Sequence, residues 1–566
     1  MKYRDGLKDC EALRKEHLDR IHKSMFDQQQ RWKDTWKDIR DYINPYIGFF
    51  DEDTPNEGDR RDDMMINTMP IMANNTQAAG MQNGITSPTR PWVRLTVADP
   101  NLQELEEVRY WCDDVTQIMH DVLSRSNFYN SSHMFYKELG APGTAAMMII
   151  EDPKTVIRCR TFTVGEYAIA NDRSGRVNRF ARNLRLTVAE LIEMFGLANC
   201  PPTVQHQFQS KDFDQHHKVK HLIIPNLAAE HGRVDKWNKP FISVYWMDEC
   251  QDGDYLDIGG FEEFPVMCAR WEVKGSDIYG RGPGWYALGD AKALQAIEED
   301  IHIGVKKQVD PPVQAAAEIL SSGGVNALPN GVTFYSRDLG DNPVRQLYQV
   351  QLDLADAKEL KAEKEAAINK HFFVDLFRML EGIDNGNITA REIIERVQEK
   401  MSLIGPVLDL LQSEFLKPVI DRIFGIMQRS GIIPEPPEVI QGMDIKVEYI
   451  SIMAQAQKMT GLTALEQLMA FVGSMVSVDP NVLDKIDRDE MVDRYAEMLG
   501  VPPSVIISDD KVAQTRQAKA QQQQMAEAAQ MGMMAAQGAK TLADTPVGQN
   551  SALDALVPGL GGWQQR

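Results

Sequence analysis

Hydrophobic and polar positions between about Gly284 and Arg429 follow an order around which the rest of the chain is organised. From Ala287 to Lys307, apolar residues fall at Leu288, Ala291, Leu294, Ile297, Ile301 and Val305, a helical period that predicts a helix. Asp310-Pro311-Pro312 ends it, because each proline lacks a donor and restricts the residue before it. Turn signals follow at Ser321-Ser322-Gly323-Gly324 and Leu328-Pro329-Asn330-Gly331, next to the β-prone run Val332-Thr333-Phe334-Tyr335. Alanine, lysine and glutamate then dominate from Leu352 to Phe372, predicting a second helix antiparallel to the first. Glu381-Gly382-Ile383-Asp384-Asn385-Gly386-Asn387 reads as a break. Thr389 and Glu392 form a capping-box signature. The helical period then persists to about Gln428, roughly 60 Å of helix, with kinks expected at Pro406 and Pro418.

The flanks are more mixed. Residues 8–44 predict a polar helix, or a pair, with the packing stripe Ile21, Met25, Trp32, Trp36, Ile39 and Ile43. A second helix is expected over Asp63–Gln82, capped at Asn83-Gly84. Ser87-Pro88-Thr89-Arg90-Pro91-Trp92 leads into a strand over Val93–Val97, and helices follow over Gln103–Arg125 and Phe128–Leu139. Gly140 to Gly143 reads as a turn into a buried strand, since it has neither a GxGxxG spacing nor the Lys-Ser/Thr of a P-loop. Strand signals recur to Trp271, so residues 90–275 read as α+β. After Pro434-Glu435-Pro436-Pro437 come a short strand (Asp444–Tyr449) and helical segments to about Gln530. A Met/Ala/Gly/Gln-rich tail follows, and from about Gly538 it is expected to be disordered.

With 566 residues, 43% of them hydrophobic, the chain can bury several cores. A net charge of −21 argues against a broad basic face that grips nucleic acid. The six cysteines are scattered without a CxxC, as expected of free thiols. The charged N-terminus excludes a signal peptide, and no apolar run approaches the about 20 residues that span a bilayer, so no membrane partner is expected. His206, His216, His217 and His221 invite a zinc reading. They lack cysteine or carboxylate partners at ligand spacing and lie in a stretch with linker character. Glu298-Glu299-Asp300 reads as a charged helix face rather than a catalytic metal cluster. Neither a cofactor motif nor a catalytic triad stands out.

Helix, insert, helix, break and long helix, together with Asp277-Ile278-Tyr279-Gly280-Arg281-Gly282-Pro283-Gly284 just before the first of them, resemble the portal proteins of short-tailed bacteriophages. The Thr-Ser-Pro and Arg-Pro-Trp entry at residues 86–92 is similar as well. The resemblance implies an α+β wing over 1–283, stem helices over 284–310 and 352–372, and a small β-containing clip over 311–351. It further implies a channel loop over 373–388, a long kinked wing helix and return over 389–449, a helical crown over 450–535 and a disordered tail over 536–566. The implied function is a ring, typically of twelve subunits, at one capsid vertex. Double-stranded DNA enters and leaves through it without sequence-specific contacts. Implied partners are the terminase large subunit, major capsid and scaffolding proteins, tail adaptors and internal ejection proteins. The protein would be made in the host cytoplasm and reside in the virion. ATP hydrolysis would belong to the terminase, leaving this chain non-enzymatic.

A conduit for a polyanion must not bind it tightly, because each neutralised phosphate adds a salt-dependent grip. A few basic or amide residues at a constriction are therefore expected. The candidates are Lys306 and Lys307 at the end of the first helix, with Lys370, Arg378, Asn385 and Asn387 around the break. Lys306 and Lys307 have a plainer role available, complementing the helix dipole. Docking candidates on the insert are Ser322, Gly324, Asn326, Asn330 and Arg337. A metal-dependent nucleic-acid enzyme would need a compact acidic cluster beside a basic groove, and the charge and missing motifs count against it. A purely helical scaffolding protein is disfavoured by the β-rich 90–275 region.

Overall fold

The computed structural model describes residues 14–50, 61–103, 105–227, 229, 238–250, 255–321, 323–326, 331–334, 344–347, 354–382, 403–443, 445–450, 468–475, 489–492, 495, 509–543, 546–547 and 550–551. They fall into two units, Met1–Gln457 and Lys458–Arg566.

The first unit is built on two sheets. Strands β4 (Tyr167–Asn171), β5 (Val177–Thr187), β6 (His216–Pro225), β7 (Phe241–Trp246) and β8 (Asp257–Phe261) form an antiparallel meander in that order. Strands β3 (Val156–Phe162), β2 (Thr144–Asp152) and β9 (Val266–Arg270) form the other sheet, with β2 in the middle. That central position explains why β2 reads Thr-Ala-Ala-Met-Met-Ile, apolar on both faces, rather than alternating. Helix α1 (Lys15–Tyr42) is long enough to serve two cores. Leu18 and Met25 enter the core of the five-stranded sheet, whereas Trp36 and Ile39 enter a second core with Phe162, Tyr167, Tyr279 and Leu294.

A third core joins α2 (Met69–Ile85), β1 (Val93–Val97), α4 (Glu106–Arg125), α5 (Phe128–Gly140) and the long helix α12, residues 403–429. Strand β1 pairs antiparallel with β12 (Ile445–Tyr449), far along the chain. Its other edge is met by α4, where Thr116 Oγ1 accepts from the Leu95 amide at 3.0 Å and His120 Nε2 lies 3.1 Å from the Val93 carbonyl oxygen. Side chains thus satisfy backbone groups that a further strand would otherwise claim.

The structure corrects several expectations. Helix α2 begins at Met69, where Asn67 Oδ1 accepts from the Met69 amide, and runs through Asn83-Gly84 because Gly84 and Ile85 are buried. His216 and His217, in the stretch read as linker, belong to His216–Pro225, an inner strand of the five-stranded sheet. Of the loop expected over 373–388, Val374–Gly382 is helix α11, and residues 383–388 lie outside the described residues. Phe373, at φ 55°, ends α10 (Leu354–His371) and redirects the chain. Val374, Leu376 and Phe377 are buried, and Gly80 on α2 leaves the notch that Phe377 fills. Kinks are expected in α12 at Pro406 and Pro418, and just before Pro418 the residues Gln412–Leu416 form a π-turn. In the second unit Asp509–Ala543 is one helix, α13, about 52 Å long. Pro546–Val547 pairs with Asn550–Ser551, so order extends beyond residue 536. Ala, Gln, Met and Lys carry helical propensity past the two glycines of that stretch.

Buried Glu138 on α5 is a polar anchor of the first unit. Its Oε1 accepts from Thr163 Oγ1 at 2.6 Å and its Oε2 from the Val164 amide at 3.3 Å, while Thr163 Oγ1 in turn accepts from the Gly48 amide at 2.5 Å. Burial pushes its pKa up to about 8 against an ordinary value of 4.5, despite those two bonds. The folded chain therefore holds this proton through a window in which the unfolded chain has lost it. Its stabilising contribution is complete below pH 4.5 and is lost as pH rises to about 8. We expect stability to fall by up to ~1.4 kcal/mol per pH unit in that window from this group. Chemical unfolding from pH 4.5 to 9 checks this, and Glu138→Gln should remove the slope.

Candidate functional site

The run Tyr279-Gly280-Arg281-Gly282-Pro283-Gly284 forms the joint from which α8 (Pro283–Val309) leaves the sheets. It lies directly on the turn between α5 and β2, backbone against backbone. A Cβ on Gly280 would sit 2.5 Å from the Gly143 carbonyl oxygen, and one on Gly282 would sit 2.8 Å from that of Gly140. Gly143, at φ +88°, faces the backbone nitrogen of Gly282 so closely that no side chain fits. Hydrogen bonds close the joint. Gly280 N donates to Thr144 Oγ1 (2.8 Å), Trp271 N to the Gly143 carbonyl (2.9 Å), Arg281 N to the Glu272 carbonyl (2.9 Å) and Trp285 Nε1 to the Pro142 carbonyl (2.7 Å). Arg281 lies over the rings of Trp32 (4.9 Å) and Trp285 (5.7 Å) and donates to Asp277 at 2.6 Å. Buried Tyr279 packs on Trp36 and accepts from the Ile169 amide at 3.2 Å. The motif is a structural clasp that fixes where α8 points.

From this clasp α8 and α10 run as an antiparallel hairpin. Ala287, Ala291 and Leu294 face Ile368 and Phe372, and ion pairs flank them: Lys361–Glu298 at 2.9 Å and Lys364–Asp290 at 3.1 Å. Gln295 Oε1 accepts the amides of Ile66 and Asn67, each at 2.8 Å, tying the loop before α2 to the side of α8. Beyond Gln295 the cover thins, and Ile303, Val305 and Val309 are exposed. Lys306 and Lys307 are exposed in the last turn of α8. Lys370 is exposed in the last turn of α10, at the opposite end of the hairpin, where neighbouring His371 approaches Asp290. The candidate cations at the end of α8 and beside the break therefore lie at opposite ends of the hairpin. Arg378 is exposed on helix α11, not on a loop, while Asn385 and Asn387 lie outside the described residues.

The insert between the two helices opens with β10 (Val313–Ala315) paired to β11 (Val344–Gln346), and helix α9 (Ala317–Ser321) follows β10. Gly324, at φ +81°, donates to the Ile319 carbonyl, and exposed Asn326 donates its amide to Thr333 Oγ1 at 3.0 Å. Ser322, Asn330 and Arg337 lie outside the described residues. The insert also carries apolar side chains that sequence reasoning passed over: Phe334 is 76% exposed, Val332 65% and Leu347 55%. Their signal was a β-prone run whose hydrophobic positions had no evident second layer.

The histidines do not converge on a metal. His221 is buried, accepts from Arg182 Nε at 3.0 Å, bonds Ser243 Oγ at 2.9 Å and stacks on Tyr245. Burial, helped by Arg182, holds its pKa well below the usual range, so it is neutral. His217 bonds Gln207 instead. Among the described residues no group of three or more His, Cys, Asp or Glu could hold a metal ion. No described helix is long and apolar enough to cross a membrane.

Residues 15–507 match the family model described as bacteriophage head to tail connecting protein. The chain is 38% identical over 552 residues to the portal protein of Salmonella phage epsilon15, covering 97% of this chain and 99% of that one. It is 34% identical over 530 residues to the probable portal protein of Bordetella phage BPP-1, covering 94% and 95%. Among solved structures, a chain from the neck of an empty gene transfer agent particle aligns with 72% of this chain and 86% of its own. Its identity is 11% and its TM-score 0.33, too low for shape to decide anything.

The clasp makes a direct prediction. Gly143→Ala places a side chain in a left-handed conformation, worth about 1–2 kcal/mol by itself, and adds a clash with Gly282. Gly282→Ala suffers the clash alone. Both should lower the thermal midpoint, Gly143→Ala more, whereas Gly175→Ala, with open space around it, should show only the conformational part. Differential scanning calorimetry of the three variants checks the order.

Proposed function

The chain belongs to the bacteriophage head-to-tail connecting proteins, and on that premise we propose how its parts serve a portal, the channel at one vertex of the phage capsid. The likeness to two phage portal proteins along almost the entire chain carries the assignment. Portals work as oligomeric rings in contact with capsid and tail parts. We assign this chain to a ring of twelve, with the α8/α10 hairpin as its stem and the insert over 311–351 as a clip at the narrow end. Double-stranded DNA passes through the lumen, and the motor that drives it is the terminase. The chain itself contributes no chemistry to packaging.

Several observations favour this arrangement. The lower half of α8 exposes Ile303, Val305 and Val309, which suits a helix completed by neighbouring copies. The hairpin leaves the sheets through a close backbone clasp, which suits a helix pair that must hold its angle while DNA passes. The overall acidity of the chain opposes tight binding of the DNA it must let slide. Lys306 and Lys307 at one level and Lys370 at another would set two weakly attractive rings around the duplex. The segment over 383–388, with Asn385 and Asn387, is assigned to the channel loop, and residues 450–535 to the crown.

Two outcomes test this. Sedimentation and negative-stain imaging of the purified protein should show a closed ring with a central hole of DNA width, and a persistent folded monomer would refute it. Docking of the terminase and then of tail adaptors is assigned to the exposed apolar tip. Phe334→Ser combined with Val332→Ser should abolish motor docking in a pull-down while capsid incorporation continues, and retained docking would move the contact elsewhere.

A further inference from the structure

Helix α12 is not uniform. At Gln412–Leu416 its hydrogen bonds reach one residue further than in an α-helix. Pro418 supplies the reason: it has no N–H for the Glu414 carbonyl four residues back, and its ring crowds that oxygen unless the turn widens. The side chain of Glu414 is captured at the same place. Arg270, at the end of β9, sets its Nε 3.1 Å from both carboxylate oxygens, donates from Nη2 to Oε1, and adds its backbone amide to Oε2 at 3.1 Å. The remaining guanidinium donors go to the carbonyls of Gly175 (2.8 Å) and Ile278 (3.3 Å).

The two halves of α12 are anchored to different extents. Downstream, Glu263 bridges Arg422 (2.5 Å) and Arg429 (2.7 Å), and Arg429 also reaches Glu151 at 3.0 Å. Gly425 keeps that space open, because a Cβ there would press on the Glu263 carboxylate. Both halves pack into the same apolar core, Ile404, Leu408 and Leu411 upstream and Val419, Ile420, Ile423, Ile426 and Met427 downstream. A half held by fewer apolar contacts and a half that adds ion pairs therefore meet at a widened turn pinned by the Arg270–Glu414 pair.

We infer that the Glu414–Arg270 pair latches a joint at which the two halves of α12 open separately, the half over 403–411 moving while Lys417–Arg429 stays fixed to the sheets. The inference rests on the fold alone and stands whether or not the chain forms a ring. Hydrogen–deuterium exchange on the full chain tests it. In the unmodified protein, amides over 412–417 should exchange faster than those on either side. Glu414→Gln should speed exchange over 403–411 by about tenfold or more and leave 419–429 unchanged. Glu263→Gln should do the reverse. Uniform protection from 403 to 429 in the unmodified protein would overturn the joint without any variant, and so would equal acceleration of both halves by Glu414→Gln.

Discussion

Everything in the first unit depends on two backbone segments approaching more closely than any side chain permits. The turn at Gly140–Thr144 and the run at Gly280–Gly284 lie against one another with glycine on both sides. Because β2 follows the first segment and α8 follows the second, the contact sets the angle between the three-stranded sheet and the helical hairpin. Such a contact is rigid for a simple reason: it contains no rotamers to relax, and its peptide groups are tied by hydrogen bonds to Thr144, Trp271 and Glu272. Arg281, lying against the rings of both Trp32 and Trp285, extends the same clasp to α1.

Around this joint, buried and part-buried polar groups add to the apolar cores in fixing long-range order. Glu138 ties α5 to the β3–β4 turn and to the loop after α1. Arg182 and His221 join β5 to β6, and Ser243 extends the chain to β7. Arg270 and Glu414 join β9 to α12, and Glu263 joins the β8–β9 connection to the same helix. Apolar packing tolerates sliding, whereas a buried charge without its partner costs several kcal/mol, so each pair selects one register. The two ion-pair groups on α12 divide that helix into parts with different attachments.

Much of this was legible in the chain. Helix α8, the strand at Val93–Val97 and the strand at Ile445–Tyr449 fall close to where period and turn chemistry place them, because those signals are local. The Tyr-Gly-Arg-Gly-Pro run pointed to a family from residue identities alone. Candidate residues were less legible. Lys306 and Lys307 were placed at the end of the first helix and Lys370 beside the break, and antiparallel pairing sets them at opposite ends of the hairpin; spacing along the chain does not say which face they take. Phe334 was read only as part of a β-prone run, since an aromatic residue in such a run reads the same whether it is covered or bare.

By itself, the sequence determined which stretches form helices and which turns need glycine, and its net charge argued against a broad basic face. Those properties follow from backbone sterics, side-chain period and charge sums, which act over a few residues or over the whole composition. Tertiary structure decided the rest. Phe373 ends α10 in a conformation disfavoured for its side chain because burial of Phe372, Val374 and Phe377 outweighs the local preference. The glycines at 140–143 and 280–284 acquire a shared purpose only when segments about 140 residues apart in the chain touch. Spacing along the chain does not encode a contact between distant segments, and in this protein those contacts set the geometry of the hairpin.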